Sequence, residues 1–135
     1  MTVRGVPMRW TEVGAGFPVV LVHGIPTSPA LWRHVLPQVH GGRLLAFELV
    51  GYGDSIPAGR DRDISMARQA DYLLGWLEQP GVERAVLVGH DLGGGVAQIA
   101  AVRARAAAPG WCWPTPLPTT PGRSPACEHC GRPDR

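Results

Sequence analysis

The sequence predicts an α/β fold: the N-terminal part of a doubly wound, parallel sheet, incomplete, with an irregular Pro-rich tail behind it. Two observations predict the sheet. Pro18–Val22 is a continuous apolar run, as expected of a strand buried on both faces, Ala85–Val88 is another short apolar strand, and Arg43–Leu49 reads as the strand between them. They alternate with segments of helix length, the pattern of a parallel sheet covered on both sides. A third observation predicts the tail. All three cysteines (Cys112, Cys127, Cys130) and seven of the 14 prolines fall between Pro109 and Arg135. Residues 1–108 therefore read as a partial core. Residues 109–135 read as a tail that is disordered or out of frame.

Composition narrows the function classes. With 135 residues, 44% hydrophobic and 18% charged, the chain has the size and apolar content of one domain. A net charge of +2 is too small for a nucleic-acid footprint. No run approaches the roughly 18 apolar residues of a membrane helix, and Met1–Trp10 lacks the apolar stretch of a secretory signal. The expectation is a soluble, cytoplasmic protein acting on a small molecule, with neither nucleic acid nor membrane as partner.

Taken in order, Met8–Val13 reads as an edge strand ending at the Gly14-Ala15-Gly16 turn. Pro18–Val22 is the first buried strand. Ser28 followed by Pro29 is an N-cap with proline at the first helical position. This predicts a helix to about Val39 with Leu31, Val35, Leu36 and Val39 on its buried face. Arg43–Leu49 is the next strand and Gly51–Ser55 a loop. Asp63 is expected to cap a helix of about 16 residues, with Ala67, Ala70, Leu73, Leu74 and Leu77 as its apolar stripe and Pro80-Gly81 as its stop. Ala85–Val88 then runs through Gly89-His90-Asp91-Leu92-Gly93-Gly94 into an Ala-rich helix, Val96 to about Ala108.

That last passage carries chemistry. A strand reversing directly into a helix through Gly-x-Asp-x-Gly sets the Asp on a tight, strained turn, and flanking glycines remove the Cβ clashes. Asp91 then projects from the carboxyl edge of the sheet at a helix N-terminus, where backbone N–H groups favour negative charge. A structural alternative is that Asp91 only caps the helix behind it.

Gly89–Gly94 resembles the nucleophile elbow of the α/β-hydrolase fold, with Asp in place of the usual Ser. Two further segments fit. His23-Gly24-Ile25-Pro26-Thr27-Ser28 is similar to the family's oxyanion-loop motif. Glu48-Leu49-Val50-Gly51-Tyr52-Gly53-Asp54-Ser55 is similar to its Asp-x-x-Gly-x-Gly-x-Ser loop, with Glu48 where Asp is usual. The resemblance covers residues 8 to about 105. It extends through Leu31-Trp32-Arg33 towards haloalkane dehalogenases and, more loosely, epoxide hydrolases.

It implies that the Asp91 carboxylate attacks an sp³ carbon, leaving an ester that a His-activated water hydrolyses. The oxyanion would be held by the backbone N–H groups of Ile25 and Leu92. No cofactor or metal is implied. Haloalkane dehalogenases hold the leaving halide with an Asn or Trp from the loop and a Trp beside the nucleophile. Here those positions are Ile25 and Leu92, neither with an N–H side chain, which points away from dehalogenation. Epoxide hydrolases also usually carry Trp after the Asp. What the resemblance leaves is a hydrolase of the Asp-nucleophile branch. The other class considered is a non-catalytic remnant or small binding protein that keeps the sheet.

The remaining candidates read as structural. His23 is expected to shape the oxyanion loop and His90 to point back into the fold. Trp32, Trp76 and Tyr72 are expected in the core or on the surface rather than against substrate. Gly51-x-Gly53 lacks the third glycine and helix start of a dinucleotide site. Cys127-Glu128-His129-Cys130 lacks a second half for a tetrahedral metal site.

In this fold the acid and His follow the nucleophile, yet only 44 residues follow Asp91 (135 − 91). The chain is expected to be inactive alone. The codons of Trp111-Cys112-Trp113-Pro114 are nearly forced: TGG-TGY-TGG-CCN. Read from the last base of each codon they give Val-Leu-Ala whatever the codon choice, and the flanks permit Gly-Leu-Val-Leu-Ala-Asp, a buried-strand sequence. A frameshift between about Arg103 and Gly110 is therefore expected, against the alternative of a natural Pro-rich tail. Left without a neighbour, the Ala85–Val88 edge would favour aggregation.

Overall fold

The computed structural model describes residues 1–79 and 82–107. Six strands and three helices follow one another: β1 Thr2–Val3, β2 Val6–Pro7, β3 Trp10–Gly14, β4 Phe17–Val22, β5 Gly42–Phe47, α1 Ile56–Gly59, α2 Met66–Leu77, β6 Val86–Gly89 and α3 Leu92–Ala107. The main sheet has the order β3-β5-β4-β6. β4 runs parallel to both β5 and β6, and β3 closes one side antiparallel to β5, so the sheet is mixed rather than purely parallel. That suits an edge strand, because β3 is largely exposed and can face water.

Period-two alternation explains how one short run serves two faces. Val20, Val22, Leu45, Phe47 and Leu87 point to one side, where α2 and α3 cover them with Ala70, Leu73, Trp76, Leu77, Val96, Ala97 and Ala100. Val19, Leu21, Leu44, Ala46 and Val88 point to the other, against Leu31, Trp32 and Leu36. Trp76 is fully buried and Trp32 and Tyr72 nearly so, as core aromatics. Arg103 ties α3 to α2 through the Ala67 carbonyl, 2.7 Å, and the Asp71 carboxylate, 2.5 Å.

Three expectations need correction. The segment after Ser28 is not an α-helix but two 3-10 pieces, Pro29–His34 and Leu36–Gln38. Pro37 would sit inside a helix reaching Val39, where it lacks the N–H and its ring meets the preceding turn. The Ser28 cap itself holds, its Oγ accepting from Ala30 N, but Val35 and Val39 are exposed. Helix α2 is capped by Ser65, which accepts from Arg68 N, while Asp63 Oδ1 accepts from Ser65 N two residues earlier. The helix is accordingly 12 residues long. Its exposed Ala67 is outside the buried stripe, which includes Gln69 and Trp76 instead.

The N-terminal hairpin was not anticipated. β1 and β2 pair across Arg4-Gly5, both with positive φ (49° and 75°), as a two-residue hairpin requires. It buries Val3, Val6 and Met8 in the main core. The expected stop at Pro80-Gly81, the tail, its Cys127–Cys130 cluster and the reading-frame expectation lie outside the described residues. Among the described residues no helix is long and apolar enough to cross a membrane, and no cluster of three potential metal ligands occurs.

Candidate active site

The site forms where β4, β5 and β6 end side by side. At the end of β6 the chain reverses within two residues: Asp91 takes φ +51°, and α3 begins at Leu92. Positive φ is uncommon for a side-chain-bearing residue and marks stored strain. Hydrogen bonds from Gly93 N to His90 O and from Gly94 N to Asp91 O, both 2.9 Å, close the turn.

Glycines make the reversal possible by what they lack. A Cβ on Gly93 would collide with the carbonyls of Val22 and His23, and one on Gly89 would meet Gly93 O, with the Gly94 Cα at 2.5 Å. Across the gap, a Cβ on Gly24 would lie 2.6 Å from the Cβ of Asp91. The loop after β4 and the turn after β6 therefore pack backbone against backbone.

This packing brings the three sequence-predicted residues together. Ile25 N donates to Asp91 Oδ2 at 3.1 Å. The backbone N–H of Leu92 and that of Ile25, in that order of weight, hold the Asp91 carboxyl below its ordinary range. The neighbouring His90 adds a smaller pull and partial desolvation opposes all three. The carboxylate is solvent-exposed, ionised and aimed by backbone donors.

His90 departs from expectation. Its side chain is exposed rather than turned into the fold, and its contribution is backbone: His90 N donates to Val22 O at 3.0 Å. Among the described residues β6 is an edge of the sheet, and His90 at its exit meets no covering layer there. His34 and His40 are also exposed.

The turn after β5 is held differently, by buried polar side chains from three elements. Ser55 Oγ donates to Glu48 Oε1 at 2.6 Å. Leu49 N donates to His23 Nε2 at 3.0 Å. Gln69, fully buried on α2, accepts from Val50 N at 3.0 Å and donates to Val50 O at 2.6 Å, pairing with the chain as a strand would. With Nε2 accepting, the His23 proton sits on Nδ1, which donates to Gly24 O at 2.9 Å. Burial pushes the His23 pKa down. The Gly24 carbonyl and the nearby Glu48 pull the other way without winning. His23 thus shapes the oxyanion loop, as expected, by tying it to the neighbouring turn.

Sequence reasoning missed Gln69 and Thr27. Gln69 lies on the same helical face as Trp76, Leu73 and Ala70, and nothing in its local sequence signals its distant partner Val50. Thr27 belongs to the motif itself; its Oγ1 donates to Gly24 O at 2.7 Å.

Residues 18–109 match the family model of the alpha/beta hydrolase fold. The chain belongs to that family. It is 39% identical over 90 residues to a haloalkane dehalogenase of Agrobacterium fabrum, covering 66% of this chain and 29% of the relative. It is 33% identical over 92 residues to bifunctional epoxide hydrolase 2 of Rattus norvegicus, covering 67% and 17%. Among solved structures, the haloalkane dehalogenase DbeA of Bradyrhizobium elkani superposes with a TM-score of 0.66 at 37% identity, covering 76% of this chain and 36% of that one. The chain spans about a third or less of the length of the curated relatives it matches. The α/β-hydrolase expectation and the likeness to both enzyme groups are borne out.

Proposed function

We propose that this chain carries the nucleophilic half of a hydrolase site, with Asp91 forming an ester on an alkyl halide, an epoxide or a related electrophile. An Asp91 carboxylate oxygen attacks the sp³ carbon. The carbon–halogen bond breaks with its electron pair leaving as halide, or the epoxide C–O bond opens to an alkoxide that takes a proton from water. Either way a covalent alkyl ester remains on Asp91. Hydrolysis at the ester carbonyl would place negative charge on the carboxyl oxygen facing Ile25 N–H and Leu92 N–H.

The observation that carries this reading is the Ile25 backbone N–H donating at 3.1 Å to an exposed carboxylate that stands at a helix N-terminus. A helix cap would need donors from its own helix only, and Ile25 is 66 residues away. The relatives' names support the same two electrophile classes. Ile25 and Leu92 offer no side-chain N–H for a departing halide, and epoxide hydrolases also usually carry Trp after the Asp, so the reading commits to neither electrophile. None of the described histidines hydrogen-bonds to Asp91, so capture of the alkyl group is expected to stop at the ester.

Peptide mass analysis after exposure to 1-bromobutane or 1,2-epoxybutane tests this. The expected result is one adduct on the Asp91 peptide, absent in Asp91→Asn. No Asp91 adduct with either reagent would overturn the reading and leave the non-catalytic alternative standing.

A further inference from the structure

The Ile25 N–H and the Gly24 carbonyl belong to one peptide group. That group is planar and trans, so its carbonyl and N–H point in opposite directions, and fixing one fixes the other. Three donors converge on the Gly24 oxygen: Thr27 Oγ1 at 2.7 Å, His23 Nδ1 at 2.9 Å and Thr27 N at 3.1 Å. On the opposite side the same group aims Ile25 N–H at Asp91 Oδ2. A carbonyl oxygen has two lone pairs, so three donors leave it little freedom to rotate.

The contacts differ in what they demand of the sequence. The Thr27 N bond is an ordinary turn closure that almost any residue would supply. The His23 bond is anchored by Leu49 on the ring's far side. The Thr27 hydroxyl is the shortest of the three and depends on this side chain. It comes from a half-buried residue on the short loop whose other end touches Asp91. Hydrogen bonds to a carbonyl also polarise the N–H of its own peptide, strengthening it as a donor.

We infer that Thr27 is a positioning residue: its hydroxyl, with His23, locks the Gly24–Ile25 peptide plane and so aims the Ile25 N–H at the Asp91 carboxylate. The inference rests on Asp91 and Ile25 acting as proposed above. It adds a residue that touches neither substrate nor nucleophile.

The test compares Thr27→Val, which keeps the shape and removes the hydroxyl, with Thr27→Ser, which keeps the hydroxyl, in the full chain. Two readouts need no chemistry: the Ile25 amide shift, and titration of the Asp91 carboxyl followed by carbon NMR. His90 is the titratable neighbour acting on Asp91 among the described residues, and its own titration is followed alongside. The third readout is the rate of adduct formation with 1-bromobutane.

Thr27→Val is expected to move the Ile25 amide upfield and raise the Asp91 pKa. Adduct formation is not expected to slow, because attack on the sp³ carbon draws negative charge away from the carboxylate, whereas the N–H donor is needed when charge builds on its oxygen during ester hydrolysis. Thr27→Ser is expected to restore both NMR readouts. A role confined to loop stability would lower the melting temperature and leave the Asp91 titration of the folded protein where it was. That result, or a parent-like Ile25 shift in Thr27→Val, overturns the inference. Should Val fail to fold, Thr27→Ala removes the same hydroxyl with less bulk. If the parent forms no adduct, the nucleophile reading falls, and the two NMR readouts still decide Thr27.

Discussion

Two turns flank the end of β4, and they are held by opposite means. The turn after β5 is filled: His23 and Gln69 bring buried polar groups to the backbone of Leu49 and Val50, and Glu48 accepts from the Ser55 hydroxyl. The turn after β6 is emptied: Gly24, Gly89 and Gly93 withdraw their side chains so that backbone can touch backbone. Each method leaves a different carboxylate. Glu48 is 6% exposed and engaged with a hydroxyl, whereas Asp91 is exposed and accepts from the Ile25 amide. Filling a turn consumes its polar groups in structure. Emptying one leaves a charged group exposed at the surface, free of structural partners among the described side chains.

The comparison breaks most readily at Gly93. Gly93→Ala would drive a methyl into the Val22 and His23 carbonyls, both backbone, one at the end of β4 and one just beyond it. A loss of about 3 kcal/mol or more is expected, at the upper end for overpacking. Urea unfolding followed by circular dichroism measures it. A loss under 1 kcal/mol would mean the two turns are not in rigid contact.

Next is the filled turn. Gln69→Leu keeps the volume but orphans both Val50 N–H and Val50 C=O at a fully buried position. Each unsatisfied backbone group costs roughly 1–3 kcal/mol, so a loss of about 2–3 kcal/mol is expected after the gain from burying Leu. Faster amide exchange at Val50 should accompany it. If exchange there is unchanged, Gln69 is not what satisfies this strand end.

These two turns were unequally legible. The emptied turn is written in adjacent residues, because steric exclusion at a sharp reversal leaves glycine as the workable choice and puts the signal in the local string. The place of Asp91 in a sharp strand-to-helix turn could therefore be read in advance, whereas Ile25 and Leu92 were named only through the resemblance to the family motifs. The filled turn is written in partners far apart: Gln69 lies 19 residues beyond Val50 and His23 lies 26 before Leu49. Nothing local distinguishes a glutamine that will face a buried carbonyl from one that will face water. Strands were legible because β4 and β5 are apolar on both faces. The segment after Ser28 misled because its cap and apolar spacing mimic a helix that Pro37 forbids. Beyond residue 109 the family match also ceases. We propose a change of frame in that neighbourhood, and resequencing from the Ala100 codon onward should find the strand-like frame continuing.

A smaller effect tests the filled turn through pH. The His23 pKa is lowered on folding, so the unfolded chain binds the proton more readily. The stabilisation from neutral His23 is complete above its unfolded pKa of about 6.5 and is lost as pH falls through the lower folded value. The lowered carboxyls, Glu12, Asp63 and Asp91, start from ordinary values near or below 4.5, so they add little between pH 5.5 and 7.5. Urea stability is therefore expected to fall between pH 7.5 and 5.5, and His23→Gln should flatten that slope. A slope that survives the substitution would place the titrating group elsewhere.

The smallest expected effect is the sharpest, because it sits one residue from the largest. Gly94 follows Gly93 in the same helix turn, yet its φ is ordinary and a Cβ there would meet nothing nearer than Gly89 O at 3.7 Å. Alanine at this position gains helix propensity and narrows the unfolded ensemble. In the first turn, where the hydrogen-bonded ladder is incomplete, roughly half of the 1 kcal/mol interior value is expected. Gly94→Ala should therefore raise stability by about 0.5 kcal/mol, opposite in sign to Gly93→Ala. Adjacent glycines with opposite responses would show that close approach selects individual residues in this turn. A loss above 1 kcal/mol at Gly94 would mean that the whole Gly93–Gly95 stretch is kept small for a contact not captured by the Gly24 and Gly89 packing.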